Sequence, residues 1–142
     1  MVLTAEDRLD ILQLMARYSW AADTNDSAAF AATYAVDGEV LHRDAATPGA
    51  PAVVLTSGRH NIESGQPANF KLRSGGQHHT HNHQIQVIDG VVRHRCFWSL
   101  VRPTPDGLKT LAMGAYEDEL IRDSKEGWLF ARRTIVTSFP PG

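Results

Sequence analysis

The hydrophobic pattern predicts helices in the first third of the chain. Between Thr4 and Ala22 apolar residues recur at spacings of three and four, which is the period of one helix face. Thr4 precedes Asp7 by three residues, so its hydroxyl can accept from the Asp7 amide and the helix is expected to begin there. Polar residues at 25–27 then predict a break. A short second helix is expected to contain Ala28, Phe30, Ala31 and Tyr34.

Turn residues dominate the middle of the chain. Asp37-Gly38 predicts a turn, and residues 39–42 have the character of a strand after it. Residues 44–52 contain two prolines and a glycine, so they predict a loop. A short strand over 53–55 and a short third helix that begins near Gly58 are expected before the Gly75-Gly76 pair.

From Gln77 onward the pattern changes to three or four long strands. They are separated by strong turn signals at residues 89–90, 103–107 and 123–127, which predicts an antiparallel meander. In one strand Leu111, Met113 and Ala115 alternate with Ala112, Gly114, Tyr116 and Asp118. Helices followed by a meander predict a single α+β domain over residues 1–142, with the helices packed on one side of a curved sheet.

Composition and charge narrow the classes of partner. With 14 basic and 16 acidic residues the net charge is −2, so no positive field favours nucleic acid or an anionic membrane. The only cysteine, Cys96, excludes an internal disulfide and a Cys-rich zinc site, and it is expected to be a small buried strand residue. The first residues lack an apolar signal-peptide region, and no 18 apolar residues run together. A cytoplasmic protein is expected.

The histidines are unevenly spread, because four of the seven fall within residues 78–83. If residues 77–88 form a strand, alternate side chains face opposite sides. One side would carry His78, Thr80, Asn82, Gln84 and Gln86. The other side would carry His79, His81, His83, Ile85 and Val87.

His78 is the predicted general acid or base, since imidazole titrates near neutral pH. Asp23, at the end of the first helix, could hold the tautomer of His78, and Asn82 could fix a substrate oxygen. Tyr18 lies about 140° around an ideal helix from Asp23, so helix geometry alone does not pair the two. Three of these residues also have a purely structural interpretation. His78 would then be a solvent-facing or interface histidine, Asp23 a helix-end carboxylate bonded to local backbone, and Tyr18 a core aromatic.

A metal site is the other interpretation of the histidine cluster. His79, His81 and His83 at alternate positions would share one face, and imidazole is a common ligand. Because no cysteine or helical His-Glu motif accompanies them and a fourth ligand cannot be named, no metal is predicted.

Several strings, taken in order along the chain, resemble a known family. They are Arg17-Tyr18 with Asp23 and Asp26, the run from Phe30 to Gly38, His78 with Asn82 and Ile85, and residues 114–120 leading to Gly127-Trp128 and Arg132-Arg133. Together they resemble the SnoaL-like branch of the NTF2-like superfamily. Its cone-shaped α+β fold is shared by scytalone dehydratase, ketosteroid isomerase and bile-acid dehydratase. The resemblance implies that Tyr18, Asp23 and His78 face one pocket.

The resemblance also implies a function. The expected activity is that of a cofactor-independent lyase (dehydratase) or isomerase, which moves a proton on a small hydrophobic cyclic or aromatic hydroxy or carbonyl compound. Tyr18 would donate to the departing hydroxyl or developing enolate. A homodimer or homotrimer is expected. The alternative is a non-catalytic ligand-binding or accessory domain, such as a protein like the small subunit of ring-hydroxylating dioxygenases. The expected substrate contacts are Asn82, Tyr116, Trp98, Phe30 and His42.

Overall fold

A computed structural model describes residues 1–73 and 75–138, and in these residues three helices lie against a six-stranded sheet. The helices are α1 (Ala5–Asp23), α2 (Ser27–Ala31) and α3 (Arg59–Arg73). The strands are β1 (Tyr34–Asp44), β2 (Val53–Ser57), β3 (Gln77–Ile88), β4 (Val91–Thr104), β5 (Gly107–Asp123) and β6 (Gly127–Ser138). The sheet order is β2-β1-β6-β5-β4-β3, and only the β1–β6 pair among these is parallel. The α+β prediction, with helices on a curved, mostly antiparallel sheet, is confirmed.

Helix α1 begins as its sequence predicts. The Thr4 hydroxyl accepts from the Asp7 amide at 3.0 Å, and the Asp7 carboxylate accepts from the Thr4 amide at 2.9 Å, which forms a capping box. Trp128 of β6 donates its indole N–H to the same carboxylate at 3.2 Å, so the cap also joins α1 to the sheet. Within the described ranges, no helix is both long and apolar enough to cross a membrane.

The chain between α2 and β1 differs from the prediction. Helix α2 ends at Ala31, Tyr34 is the first residue of β1, and β1 continues through Asp37-Gly38 without turning. A Cβ atom on Gly38 would lie 3.0 Å from the carbonyl oxygens of Ala35 and Phe130. Gly38 is therefore required by the close approach of β1 to β6, where the pairing register shifts, and the predicted turn is wrong.

The remaining boundaries follow the turn signals. The predicted loop over residues 44–52 connects β1 to β2, except that Asp44 is the last residue of β1. Tight connections at 89–90, 105–106 and 124–126 separate the last four strands. The third helix spans 15 residues, which is longer than the short helix predicted. The predicted alternation in β5 is confirmed, because Tyr116 and Asp118 are buried while Leu111 and Met113 are exposed.

A β-bulge changes the faces of β3. His81 pairs with Phe97 and Gln84 with Arg95, so two residues of β3 stand opposite one residue of β4. Asn82 adopts a positive φ of 59° at this point. Because side chains in a strand alternate with period two, the extra residue moves every later side chain to the other face. The predicted faces are correct before Asn82 and wrong after it. The half-buried side chains of β3 are those of His78, Thr80, His83, Ile85 and Val87.

Candidate functional site

Asp23 and His78 form a hydrogen-bonded pair where the end of α1 meets the start of β3. The His78 backbone N–H donates to Asp23 Oδ2 at 2.7 Å, and the His78 ring Nδ1 lies 2.5 Å from Asp23 Oδ1. The side chains are 6% exposed for His78 and 16% exposed for Asp23. A carboxylate only accepts hydrogen bonds, so Nδ1 carries the proton. In neutral His78 the lone pair is then on Nε2.

An open pocket of about 400 Å³ surrounds this pair. Its walls come from Ser19 and Trp20 in the last turns of α1, from Thr24 just after the helix, and from residues 75–79, which lead into β3. Trp20 is 71% exposed at the rim, whereas the Ser19 hydroxyl is buried and has no hydrogen-bond partner among the described residues. The pocket therefore offers an aromatic wall and an imidazole held by a carboxylate.

A series of aromatic rings leads from His78 into the core. It consists of three residues that were predicted to belong to the site: Trp98, Tyr116 and Tyr18. The ring centroids are 6.4 Å apart for His78 and Trp98, 5.6 Å for Trp98 and Tyr116, and 5.7 Å for Tyr116 and Tyr18. Burial raises the pKa of Tyr116 well above its usual value, and neighbouring Tyr18 raises it further. Trp98 is adjacent to the pair. Tyr18 packs against Phe30, with centroids 4.8 Å apart, and does not line the pocket around the pair.

Two other predicted contacts lie elsewhere. Asn82 is exposed in the bulge and lines a separate pocket of about 390 Å³ with Arg95 and Phe97. The expectation that Asn82 shares a face with His78 is therefore wrong, because of the extra residue in β3. His42 lies on β1, and its ring Nε2 is 3.1 Å from the Thr137 hydroxyl. The substrate contacts of Asn82 and His42 stay predictions.

A second set of polar side chains is buried in the core, and their contacts with one another were not predicted from the sequence. This buried polar chain consists of Arg133, Asp118, His94 and His83. Arg133 donates from Nε and Nη2 to the Asp118 carboxylate at 2.8 and 2.9 Å. His94 Nδ1 lies 2.7 Å from Asp118 Oδ2, and His94 Nε2 lies 2.9 Å from His83 Nδ1. The side chains of His94 and Asp118 are fully buried.

The charges in the buried polar chain stabilise one another. Burial raises the pKa of Asp118, but the charge and hydrogen bonds of Arg133 outweigh this effect and hold the pKa below its usual value. The Arg133 guanidinium carbon also lies 4.2, 3.9 and 4.0 Å from the ring centroids of Tyr18, Tyr116 and Phe130. Burial, followed by the nearby charges of His94 and Arg133, lowers the pKa of His83.

Strand alternation in the sequence indicates part of the buried polar chain. Adjacent side chains of a strand face opposite sides of the sheet, so one of Arg132 and Arg133 has to face the interior, and that residue is Arg133. His94 lies two residues before Cys96 on the buried face of β4, so period-two alternation could have found it. The bulge hid His83, because a strict alternation places it with His79 and His81.

The bulge also separates the three histidines of the alternative metal interpretation, for which no metal was predicted. His79 and His81 are exposed on the outer face, while His83 is half-buried on the inner face, so that interpretation of three same-face ligands is wrong. The structure instead brings His83, His94 and Cys96 together, with one ligand atom from each and all within 4.8 Å of one another. Cys96 is buried as expected, and burial raises the pKa of its thiol to about 12.

Comparisons with known proteins agree with this architecture. A family model described as a SnoaL-like domain matches residues 3–134. No protein of curated function matches the sequence at a significant level.

Three solved structures illustrate the similarity. A Novosphingobium aromaticivorans protein, provisionally described as an aromatic ring hydroxylase, is 27% identical with a TM-score of 0.73, over 98% of this chain and 94% of that one. A protein of unknown function from Mycobacterium tuberculosis is 25% identical with a TM-score of 0.74, over 92% of this chain and 71% of that one. An NTF2-like protein with a cystatin-like fold, also from N. aromaticivorans, is 24% identical with a TM-score of 0.73, over 93% and 82%. The fold and the superfamily expected from the sequence are thereby confirmed.

Proposed function

Because the chain belongs to the SnoaL-like domain family, we propose that it is a cofactor-independent lyase or isomerase. In this proposal, the Asp23–His78 pair moves a proton on a small hydrophobic cyclic or aromatic hydroxy or carbonyl compound. The family includes polyketide cyclases and dehydratases as well as ring-hydroxylase-like proteins, so its range of chemistry includes this reaction class.

The two-point contact between Asp23 and His78 is the observation that carries the proposal. One carboxylate oxygen accepts from the His78 backbone and the other from its ring, so both the position and the tautomer of the imidazole are fixed. Nε2 of neutral His78 is then the base that takes a proton from carbon or oxygen. Asp23 stabilises the imidazolium that forms, and the imidazolium returns the proton to the departing hydroxyl or to the product carbon.

The pocket chemistry supports a neutral substrate. The residues that line it include one carboxylate and two histidines but, among the described residues, no lysine or arginine. A phosphorylated substrate would meet Asp23 without a permanent positive charge to offset it. Trp20, which is exposed at the rim of the pocket, gives an apolar ring surface beside the pair, and this surface suits a flat cyclic compound. Donation by Tyr18 requires the substrate to reach past Trp98, so that part of the mechanism stays a prediction.

Kinetics of variants test the proposal. His78→Gln and Asp23→Asn are compared with the wild type on a panel of cyclic hydroxy and carbonyl compounds that can dehydrate or isomerise. Loss of the general base or of its orienting group should lower kcat by about 10²–10⁴-fold. His81→Gln, an exposed histidine on the same strand, is the matched control and should keep the wild-type rate. If His78→Gln turns over substrate at the wild-type rate, as the His81→Gln control is expected to do, the assignment of His78 as the base is wrong.

A non-catalytic ligand-binding or accessory role is the second candidate. It is favoured by the separation of Tyr18 from the pocket around the Asp23–His78 pair. A protein of this class would bind compounds from the same panel without converting them. Its affinity would change with His78→Gln, but no product would form with any variant.

We also propose a homodimer formed through the outer face of the sheet, which is the face opposite the helices. Phe97, Leu111 and Met113 are 54%, 41% and 54% exposed on this face of β4 and β5. Phe97 and Met113 lie diagonally across the strand pair, since Phe97 stands opposite Ala115 and Ser99 opposite Met113, and Leu111 is two residues from Met113 on β5. Exposed apolar residues grouped on a sheet face favour burial against a second copy.

A further inference from the structure

Three metal-ligating side chains converge on the inner face of β3 and β4, away from the Asp23–His78 pair. His83 comes from β3, and His94 and Cys96 come from alternate positions of β4. One ligand atom from each lies within 4.8 Å of the other two, and His83 Nδ1 is 2.9 Å from His94 Nε2. His94 and Cys96 are 2% and 3% exposed, while His83 is half-buried. We propose that His83, His94 and Cys96 bind one Zn²⁺ ion.

The bulge in β3 creates this cluster. Without the extra residue at Asn82, His83 would face outward with His79 and His81, and only two donors would remain on the inner face. Asn82 adopts a left-handed φ of 59°, a conformation that costs a non-glycine residue free energy. The strained backbone at Asn82 therefore places the His83 imidazole on the same face as His94 and Cys96.

A carboxylate behind His94 orients the cluster. His94 Nδ1 donates to Asp118 Oδ2 at 2.7 Å, which leaves the lone pair of His94 Nε2 directed at His83 Nδ1. Asp118 is itself held by two hydrogen bonds from Arg133. A ligating histidine whose other nitrogen donates to a fixed carboxylate is the usual outer-shell arrangement of metal sites.

Zinc binding requires the three donors to adjust their separations. Zn–N distances of about 2.0–2.1 Å and Zn–S distances of about 2.3 Å place tetrahedral donors roughly 3.3–3.6 Å apart. The two imidazole nitrogens must separate by a few tenths of an ångström from 2.9 Å, and the donor atoms that now lie up to 4.8 Å apart must approach one another. Half-buried His83 is the side chain with the most room to move. Imidazole and thiolate are donors that zinc prefers, and three protein ligands leave a fourth position for water or an anionic ligand.

The proton balance of binding is simple. The hydrogen bond between the two imidazoles requires His83 to carry its proton on Nδ1, because His94 Nε2 is the acceptor. On binding, this proton moves to Nε2 of His83, so Nδ1 can ligate the ion. The Cys96 thiol releases its proton to solvent. One Zn²⁺ ion therefore replaces one proton, and no oxidation or reduction takes place.

Cobalt substitution tests the site in the intact wild-type chain. Cys96 is the only cysteine, so a thiolate-to-cobalt charge-transfer band after Co²⁺ is added to chelator-treated protein reports this residue alone. We expect one Co²⁺ per chain with that band, and we expect Zn²⁺ to displace the cobalt. No variant is needed for this step, so a folding defect cannot imitate the result.

Variants then identify the histidine. His83→Ala should weaken Zn²⁺ affinity by at least tenfold, whereas His81→Ala, an exposed histidine on the same strand, should leave it unchanged. Both variants are checked for wild-type circular dichroism. The proposal is overturned if no ion binds, if cobalt binds without the thiolate band, or if His81→Ala weakens binding as much as His83→Ala. None of these outcomes depends on the proposed reaction at Asp23 and His78.

Discussion

Asp118 is the residue on which the buried polar chain depends. It accepts hydrogen bonds from both Arg133 and His94 and is fully buried, so its charge is what compensates the buried guanidinium. The exposed pair of Arg43 and Glu117 is a useful contrast, because its side chains are 32% and 51% exposed and solvent screens their attraction.

We predict that Asp118→Asn lowers the free energy of unfolding by about 3–5 kcal/mol, because it leaves Arg133 buried without a countercharge. Glu117→Gln on the neighbouring outward position should cost less than about 1 kcal/mol. Urea unfolding of the two variants measures the difference. Equal losses for the two variants would show that the buried ion pair does not have the stabilising role described here.

Residue-level prediction from the sequence succeeded where local signals were enough. The pairing of Asp23 with His78 could be anticipated from the resemblance, and strand alternation places one of Arg132 and Arg133 inside without deciding which. The connection of Asp118 to His94 could not, because the two residues are 24 positions apart and are brought together only by the register of β4 and β5. Asn82 was misplaced because a bulge leaves no clear mark in the side-chain pattern.

At the scale of elements, the two ends of α1 make different contacts. Its N-terminus is fixed by the Thr4–Asp7 capping box, and its last residue, Asp23, holds His78. Turn signals located most strand boundaries correctly. The Asp37-Gly38 signal failed because that glycine serves a close contact between two strands, which local sequence cannot distinguish from a turn.

Removal of the cap provides a prediction for the element. Thr4→Ala should lower the free energy of unfolding by about 1 kcal/mol, because the Asp7 amide loses its acceptor. Ser124→Ala, at an exposed position in the turn between β5 and β6, is the control and should change it by less than about 0.5 kcal/mol. Thermal or urea unfolding measures both values, and an unchanged Thr4→Ala protein would contradict the capping role.

At the scale of the whole molecule, the two faces of the sheet carry different kinds of residues and contacts. The inner face and the helices enclose the aromatic core, the buried polar chain and the Asp23–His78 pair. The outer face carries exposed ion pairs such as Arg93–Glu119 beside its exposed apolar residues. Sequence alternation assigned the residues of β5 to two faces, but which residues of different strands are neighbours follows from the strand register.

The proposed homodimer gives a prediction at this scale. Phe97→Glu should convert a dimer to a monomer, because it places a charge in the centre of the apolar outer face. Leu72→Glu, on the exposed side of α3 with 85% of the residue accessible, is the matched control and should leave the dimer intact. Light scattering after size-exclusion chromatography measures the mass. A monomeric wild-type protein at the same concentration would contradict the proposal.

The central claim is that Asp23 fixes His78 in the form that can act as a base, and nitrogen NMR of the histidine ring tests it most directly. A long-range ¹H–¹⁵N spectrum of the wild type, assigned by the signals lost in His78→Gln, should show His78 with its proton on Nδ1 and an unprotonated Nε2 in the neutral state. In Asp23→Asn that preference should weaken or reverse. If neutral His78 in the wild type instead carries its proton on Nε2, or if Asp23→Asn leaves the spectrum unchanged, Asp23 does not hold the imidazole for proton transfer.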